Sequence, residues 1–97
     1  MRIIALSTLR TFWEKHPDSE LPLRAWYALA SRAGWKTPAN IKEAYRNASF
    51  TGNIRVVFNV KGNDYRLVVS VRYDLGLMYV RFIGTHRQYD KIDVETI

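Results

Sequence analysis

The fold is decided by residues 54–73, which read IRVVFNVKGNDYRLVVSVRY. Hydrophobic side chains recur at every second position on both sides of residues 61–64, and two is the period of a β-strand. The segment between them is rich in turn formers, so the sequence predicts a β-hairpin. The expected apolar face holds Ile54, Val56, Phe58, Val60, Leu67, Val69 and Val71, and the opposite face holds Arg55, Val57, Asn59, Arg66, Ser70 and Arg72.

A third strand is predicted after a turn at residues 74–76. Alternation over residues 77–83 assigns Met78, Val80 and Phe82 to the core and leaves Tyr79, Arg81 and Ile83 on the other side. Three strands joined by tight turns form an antiparallel meander, apolar on one face and polar on the other. The expected polar face carries Arg55, Asn59, Arg66, Arg72, Tyr79 and Arg81.

The N-terminal half has the spacing of helices instead. Residues 2–6 form a short opening strand or lead into a first helix, whose apolar stripe is Leu9, Phe12 and Trp13 and which ends before Pro17. A second helix runs from about Ser19 to Gly34 with Trp26, Leu29, Ala30 and Ala33 on one face, and a third, carrying Ile41, Ala44 and Tyr45, follows the Thr37–Pro38 start signal. We therefore expect an α+β fold, with a curved antiparallel sheet packed against two or three N-terminal helices in one domain, 1–97.

Composition limits the function. The 97 residues include no cysteine, which excludes disulfides and thiolate metal sites, and the net charge of +6 favours a polyanionic partner such as nucleic acid. No stretch approaches the roughly 20 apolar residues of a membrane span. Residues 1–6 are too short an apolar run for a signal peptide, so we expect a cytoplasmic protein without membrane contact.

Chemistry-bearing side chains concentrate in residues 85–91, which read THRQYDK. RNA cleavage by its own 2′-hydroxyl needs a base, an acid for the leaving oxygen and cations for the phosphorane. His86 and Tyr89 are three residues apart, with Lys91 behind them and Arg81 before them. The plainer interpretation is a surface histidine and a packing tyrosine, with Arg55 and Arg72 as solvated strand residues. Trp13, Trp26 and Trp35 are expected in the core rather than stacked on bases.

Other chemistries lack their patterns. Two histidines without cysteine give no zinc spacing, no phosphate-binding glycine loop or nucleophile elbow appears, and the acidic residues form no two-metal cluster. Two function classes remain, a metal-free enzyme acting on RNA and a non-catalytic RNA- or ribosome-binding module that uses the same basic face.

Three segments carry a family resemblance. Phe-Asn-Val-x-Gly-Asn-x-x-Arg at residues 58–66, Thr-His-x-x-Tyr-Asp-Lys at residues 85–91 and Trp-Lys-Thr-Pro at residues 35–38 resemble the HigB-type toxins of type II toxin–antitoxin systems. The resemblance covers nearly the whole chain. It implies a RelE-like fold and an endoribonuclease that needs neither metal nor cofactor and typically cuts mRNA on the 70S ribosome, which stops translation.

The same resemblance implies partners and site residues. The expected partner is a helix-turn-helix antitoxin, with operator DNA bound only through the toxin–antitoxin complex. Arg66 and Arg81 match phosphate-binding or transition-state-stabilising arginines, whereas His86 and Tyr89 match the positions for acid–base work, with His86 preferred as the base. Expected RNA-positioning residues are Asn59, Lys61 and Lys91, together with Arg55 and Arg72 on the polar face.

Overall fold

The N-terminal half is helical, as its apolar spacing predicts. The computed structural model of the protein describes residues 1–52 and 54–97. A short strand, β1 (Arg2–Ile4), leads into α1 (Leu6–Lys15), and after a 3₁₀ turn at Pro17–Ser19 come α2 (Glu20–Arg32) and α3 (Pro38–Ala44). The opening strand was one of the two alternatives left by the sequence.

The helix signals in the sequence are largely confirmed. Leu9, Phe12 and Trp13 of α1 are buried, and the Thr37 hydroxyl accepts a hydrogen bond from the Asn40 amide at the start of α3. Leu29 was predicted to face inward, and this is wrong, because its side chain is 45% exposed. The buried stripe of α2 runs through Leu23, Trp26 and Ala30, and Leu29 is turned about 100° away from its neighbour Ala30 around the helix.

The strands form one five-stranded sheet. Its members after α3 are β2 (Ser49–Phe50), β3 (Arg55–Val60), β4 (Tyr65–Arg72) and β5 (Leu77–Thr85), and the order across the sheet is β1-β5-β4-β3-β2. The neighbours from β2 to β5 are antiparallel, but β1 is parallel to β5. The prediction of a purely antiparallel sheet is therefore corrected to a mixed sheet. The helices separate β1 from the other strands in the chain, so no tight turn forces β1 to run antiparallel to its neighbour.

A β-bulge changes which side chains of β5 face the core. Phe82 pairs with Val68 and Val80 pairs with Val69, so Arg81 is an extra residue between them. An extra residue inverts the alternation that follows it. The prediction that Phe82 faces the core and Ile83 does not is therefore wrong, because Ile83 packs against the core cluster and Phe82 lies opposite, beside Val68.

The helices cover one face of the sheet, and the core lies between them. All three tryptophans are buried in this core, as predicted. We call the opposite side of the sheet the second face, and it carries Arg55, Val57 and Asn59 of β3, Arg66, Val68, Ser70 and Arg72 of β4, and Tyr79, Phe82 and Gly84 of β5. The chain ends near β3 on this face, where the Arg55 guanidinium donates to the Ile97 carbonyl. None of the helices within residues 1–52 and 54–97 is long and apolar enough to cross a membrane.

Candidate active site

A one-turn helix, α4 (His86–Tyr89), begins directly at the end of β5. Thr85 caps it reciprocally with Gln88: the Thr85 hydroxyl accepts from the Gln88 amide at 3.1 Å, and the Thr85 amide donates to the Gln88 side-chain oxygen at 2.9 Å. The His86 amide also donates to the Asp64 carbonyl at 3.0 Å. The predicted segment is thus fixed both to its own strand and to the turn between β3 and β4.

Arg66 is the buried cation of this region, with 9% of its surface exposed. Its guanidinium donates to the Asn63 carbonyl at 3.0 Å, to the Asn63 side-chain oxygen at 2.8 Å and to the Tyr65 carbonyl at 3.3 Å. The same guanidinium lies 5.8 Å from the centre of the Tyr89 ring, within cation–π range. Arg66 and Tyr89, predicted separately from strand parity and from the 85–91 segment, are therefore neighbours.

His86 has a carboxylate partner. Its Nδ1 lies 3.0 Å from Asp90 Oδ2, one helical turn further along the chain, and both side chains are exposed. A carboxylate at Nδ1 favours the tautomer with its proton there, which leaves the lone pair on Nε2 free to accept a proton. Asp90 was not among the predicted site residues, although its i, i+4 spacing from His86 was visible in the sequence.

Asn63 is a second residue that the sequence reasoning missed. Asparagine is common in turns, so its occurrence between two predicted strands gave no reason to assign it a further role. The structure shows that its carbonyl and its side chain both hold Arg66. The only signal in the sequence was that Asn63 lies three residues before Arg66, which is on a predicted strand.

Three other predicted residues lie on or next to the elements that carry this cluster, which consists of Arg66, Tyr89, His86, Asp90 and Asn63. Asn59 is exposed on β3 and is the direct cross-strand partner of Arg66. Arg81 is exposed at the bulge, with its guanidinium 5.9 Å from the Tyr79 ring centre. Lys91 is exposed just beyond α4. Of the predicted residues, Arg66, His86 and Tyr89 lie in the site, Asn59 and Lys91 adjoin it, and Arg81 lies on β5 before His86.

Lys61 lies apart from the cluster because it is engaged on the helical side. Its ammonium is 2.6 Å from a carboxylate oxygen of Asp18, whose other oxygen accepts the Tyr65 hydroxyl. The hydrogen bond from Lys61 and then that from Tyr65 lower the pKa of Asp18. The hydrogen bond to Asp18 in turn raises the pKa of Lys61 and the pKa of Tyr65 above their ordinary values.

Arg55 and Arg72 also have partners elsewhere. Arg72 donates two hydrogen bonds to the Asp74 carboxylate, at 3.1 and 2.8 Å, and this contact lowers the pKa of Asp74. Its position opposite Leu77 places it at the end of β4 away from Arg66. Arg55 is buried and donates to Ile97. In the two described stretches, no three His, Asp or Glu side chains are grouped so that they could hold a metal ion.

Comparison with known proteins gives the context for this geometry. Residues 19–92 match the model of the HigB toxin family, described as the RelE-like toxic component of a toxin–antitoxin system. The chain belongs to the HigB toxin family. It is 28% identical over 92 residues to the mRNA interferase toxin HigB of Escherichia coli K12, covering 93% of this chain and 88% of that protein. The mRNA interferase HigB of E. coli O6:H1 is 26% identical over 94 residues, covering 95% and 91%.

Family membership confirms the resemblance drawn from residues 35–38, 58–66 and 85–91. The α+β architecture of this HigB-family toxin, a sheet with helices on one face, agrees with the RelE-like fold that the resemblance implied. As the toxic component of a toxin–antitoxin system, it has an antitoxin as its partner.

Proposed function

We propose that this HigB-family toxin is an endoribonuclease that cleaves mRNA. Relatives at 28% and 26% identity are named mRNA interferases. The observation that carries the proposal is the cluster where β4 begins and β5 ends: a buried guanidinium lies beside the Tyr89 ring, and α4 also carries a histidine paired with a carboxylate. These are the groups that metal-independent phosphodiester cleavage requires.

In the proposed reaction, Nε2 of His86 accepts the proton of a ribose 2′-hydroxyl, and the oxygen attacks the adjacent phosphorus. The bond from phosphorus to the 5′ oxygen breaks, which leaves a 2′,3′-cyclic phosphate, and the Tyr89 hydroxyl donates the proton that the leaving oxygen takes up. Arg66 and Arg81 bind the phosphate oxygens, whose charge grows in the transition state. The reaction consumes no metal or cofactor.

The remaining predicted residues contribute to RNA binding in this proposal. Asn59 and Lys91 are exposed beside the cluster and are placed to position the strand. RNA binding by Lys61, Arg55 and Arg72 stays a prediction. In the structure their cationic groups are bound to Asp18, Ile97 and Asp74 respectively. RNA would have to compete with those contacts.

We further propose that cleavage takes place on the translating 70S ribosome, in the cytoplasm where mRNA is found. The antitoxin is proposed to be a helix-turn-helix protein, and operator DNA is bound by the complex rather than by the toxin alone. These expectations come from the family resemblance, and the net charge of +6 supports contact with RNA.

The test is to induce the protein in bacteria and map new 5′ ends of cellular mRNA by primer extension. Wild-type protein is expected to create new ends and arrest growth. His86→Ala should lower the cleavage rate by about 10²- to 10⁴-fold, the contribution of a positioned acid or base. His16→Gln is the control for loss of an imidazole, since His16 packs on the rings of Phe12 and Tyr65 and is not part of α4. Growth arrest without new ends would favour the binding-module alternative.

A further inference from the structure

A cavity of about 270 Å³ opens at the edge of the sheet beside the candidate active site. In the described part of the chain, β2 pairs only with Val56 and Val57 of β3. Beyond Val57 the edge of β3 is therefore bounded by the connection between α3 and β2 instead of by a strand. The cavity lies there, and its lining includes Tyr45, Arg46, Asn47, Phe58, Asn59 and Gly62.

The polar side of the cavity is built on a fixed turn. The Ala48 amide donates to the Tyr45 carbonyl at 3.1 Å, and the Lys42 ammonium donates to the Ala48 carbonyl at 2.7 Å. Arg46 and Asn47 are the two central residues of this turn, and both are exposed. The turn thus brings an arginine and an asparagine side by side into the lining of the cavity.

The floor of the cavity is aromatic. Phe58 is only 1% exposed, and the Tyr45 ring packs edge-on against it with ring centres 5.2 Å apart. Arg46 forms no salt bridge with any residue of the two described stretches. The acidic residue nearest in sequence, Glu43, lines a neighbouring cavity with Trp35 and Asn40. The positive charge of Arg46 is thus available to an anion.

Asn59 connects this cavity to the candidate active site. It lines the cavity and is the cross-strand partner of Arg66, and such partners have Cα atoms about 5 Å apart. A strand of RNA whose cleaved phosphate lies at Arg66 can therefore cross Asn59 and reach the cavity with the adjoining nucleotide.

We infer that this cavity is a binding subsite for one nucleotide of single-stranded RNA beside the cleaved phosphate. Arg46 binds a backbone phosphate, since a guanidinium matches phosphate geometry. The amides of Asn47 and Asn59 each offer donors and an acceptor, as reading a base edge requires. The cavity is slightly smaller than the roughly 300–1,000 Å³ of drug-sized pockets, which suits one nucleotide. The inference rests on the proposed function, because it takes RNA as the substrate.

The experiment measures binding of a fluorescein-labelled 2′-O-methyl RNA decamer by anisotropy at several salt concentrations. The oligonucleotide keeps its phosphates and bases but has no free 2′-hydroxyl, so the intact protein binds it without cleaving it. Arg46→Ala is expected to weaken binding about tenfold at low salt and to lower the salt slope by about 0.7, the value of one phosphate contact on a single strand. Arg10→Ala, which removes an exposed charge from α1, is the matched control, and Arg46→Lys should recover part of the loss.

The outcomes separate this subsite from the proposed function. Equal binding by the Arg46→Ala and Arg10→Ala proteins, or no binding by wild type, overturns the subsite even if wild type still creates new mRNA ends in cells. Binding that depends on Arg46 in a protein that creates no such ends supports RNA binding at this cavity and refutes the nuclease. Asn47→Ala provides a second variant for the same comparison, and it should change the preference among decamers of different sequence more than the salt slope.

Discussion

At the scale of single residues, Arg66 depends on an uncharged neighbour. Its guanidinium has five N–H groups, and it makes three hydrogen bonds, two to Asn63 and one to Tyr65. Those bonds fix the plane of the guanidinium beside the Tyr89 ring. Asn63 therefore acts as a positioning residue for a cation that is proposed to bind the phosphate.

Asn63→Ala is expected to lower the rate of RNA cleavage by about tenfold, because one hydrogen bond to a charged group is lost while the bonds to the two main-chain carbonyls remain. Arg66→Ala should cost more, about 10²- to 10³-fold, as expected for a donor that stabilises a transition state. Single-turnover rates at saturating enzyme measure both effects. Asn63→Asp keeps a side-chain oxygen and should restore most of the rate.

A merely structural role for Asn63 predicts a different pattern. In that case Asn63→Ala and Asn63→Asp would lower the melting temperature together, and the single-turnover rate of the folded fraction would stay at the wild-type value. Equal rates for Asn63→Ala and wild type, at equal folded fractions, would show that Arg66 needs no support from this side chain.

At the scale of elements, the sequence predicted the strands well but not the bulge within β5. Apolar side chains recur at every second position from Ile54 to Val60 and from Leu67 to Val71, and the structure confirms that Val56, Phe58, Val60, Leu67, Val69 and Val71 lie in the core. In β5, odd- and even-numbered positions around Arg81 are both apolar. The sequence is therefore compatible with either Phe82 or Ile83 facing the core. The bulge comes from pairing with β4, and pairing is a tertiary property that the period of one strand does not report.

Gly84 links the bulged strand to α4. A Cβ at this position would lie 2.5 Å from the Phe82 ring and 2.7 Å from the Gln88 side-chain oxygen, both well inside contact distance. That Gln88 oxygen accepts a hydrogen bond from the Thr85 amide in the cap of α4. Gly84→Ala is therefore expected to displace Gln88, loosen α4, shift His86 and move Tyr89 away from Arg66.

We expect Gly84→Ala to reduce RNA cleavage by about 10²-fold, since small misplacements of catalytic groups have effects of this size, while most of the melting temperature is retained. Ala33→Ser, a small change at the C-terminal cap of α2, is the control for general destabilisation. A Gly84→Ala protein with wild-type cleavage would indicate that Phe82 alone gives way and that α4 stays in place.

At the scale of the whole molecule, the helical layer is connected to the turn that carries the site. Asp18, just after α1, binds Lys61 and Tyr65 on the β3–β4 hairpin, and Asn63 and Asp64 of that turn hold Arg66 and His86. The sequence predicted the hairpin, the helices and the face they cover. It could not predict this connection, or the parallel pairing of β1, because both join residues that are far apart in the chain.

The connection predicts a pH-dependent difference between wild type and Asp18→Asn. The pKa of Asp18 is lowered from 3.8 in the folded protein, mainly by the hydrogen bond from Lys61, so its stabilising effect is present above about pH 4 and is lost as the pH falls through the folded pKa. The raised pKa values of Tyr65, ordinarily 10.0, and of Lys61, ordinarily 10.5, mean that their contributions to stability persist below about pH 10 and are lost as the pH rises further.

Wild type should therefore melt at a higher temperature than Asp18→Asn throughout the neutral range, and the melting temperatures of the two proteins should converge at both extremes of pH. Glu14→Gln, which removes an exposed carboxylate from α1, should show no such pH-dependent difference in melting temperature from wild type. A difference between wild type and Asp18→Asn that stays constant from pH 2 to 11 would mean that Asp18 acts through packing and not through its charge.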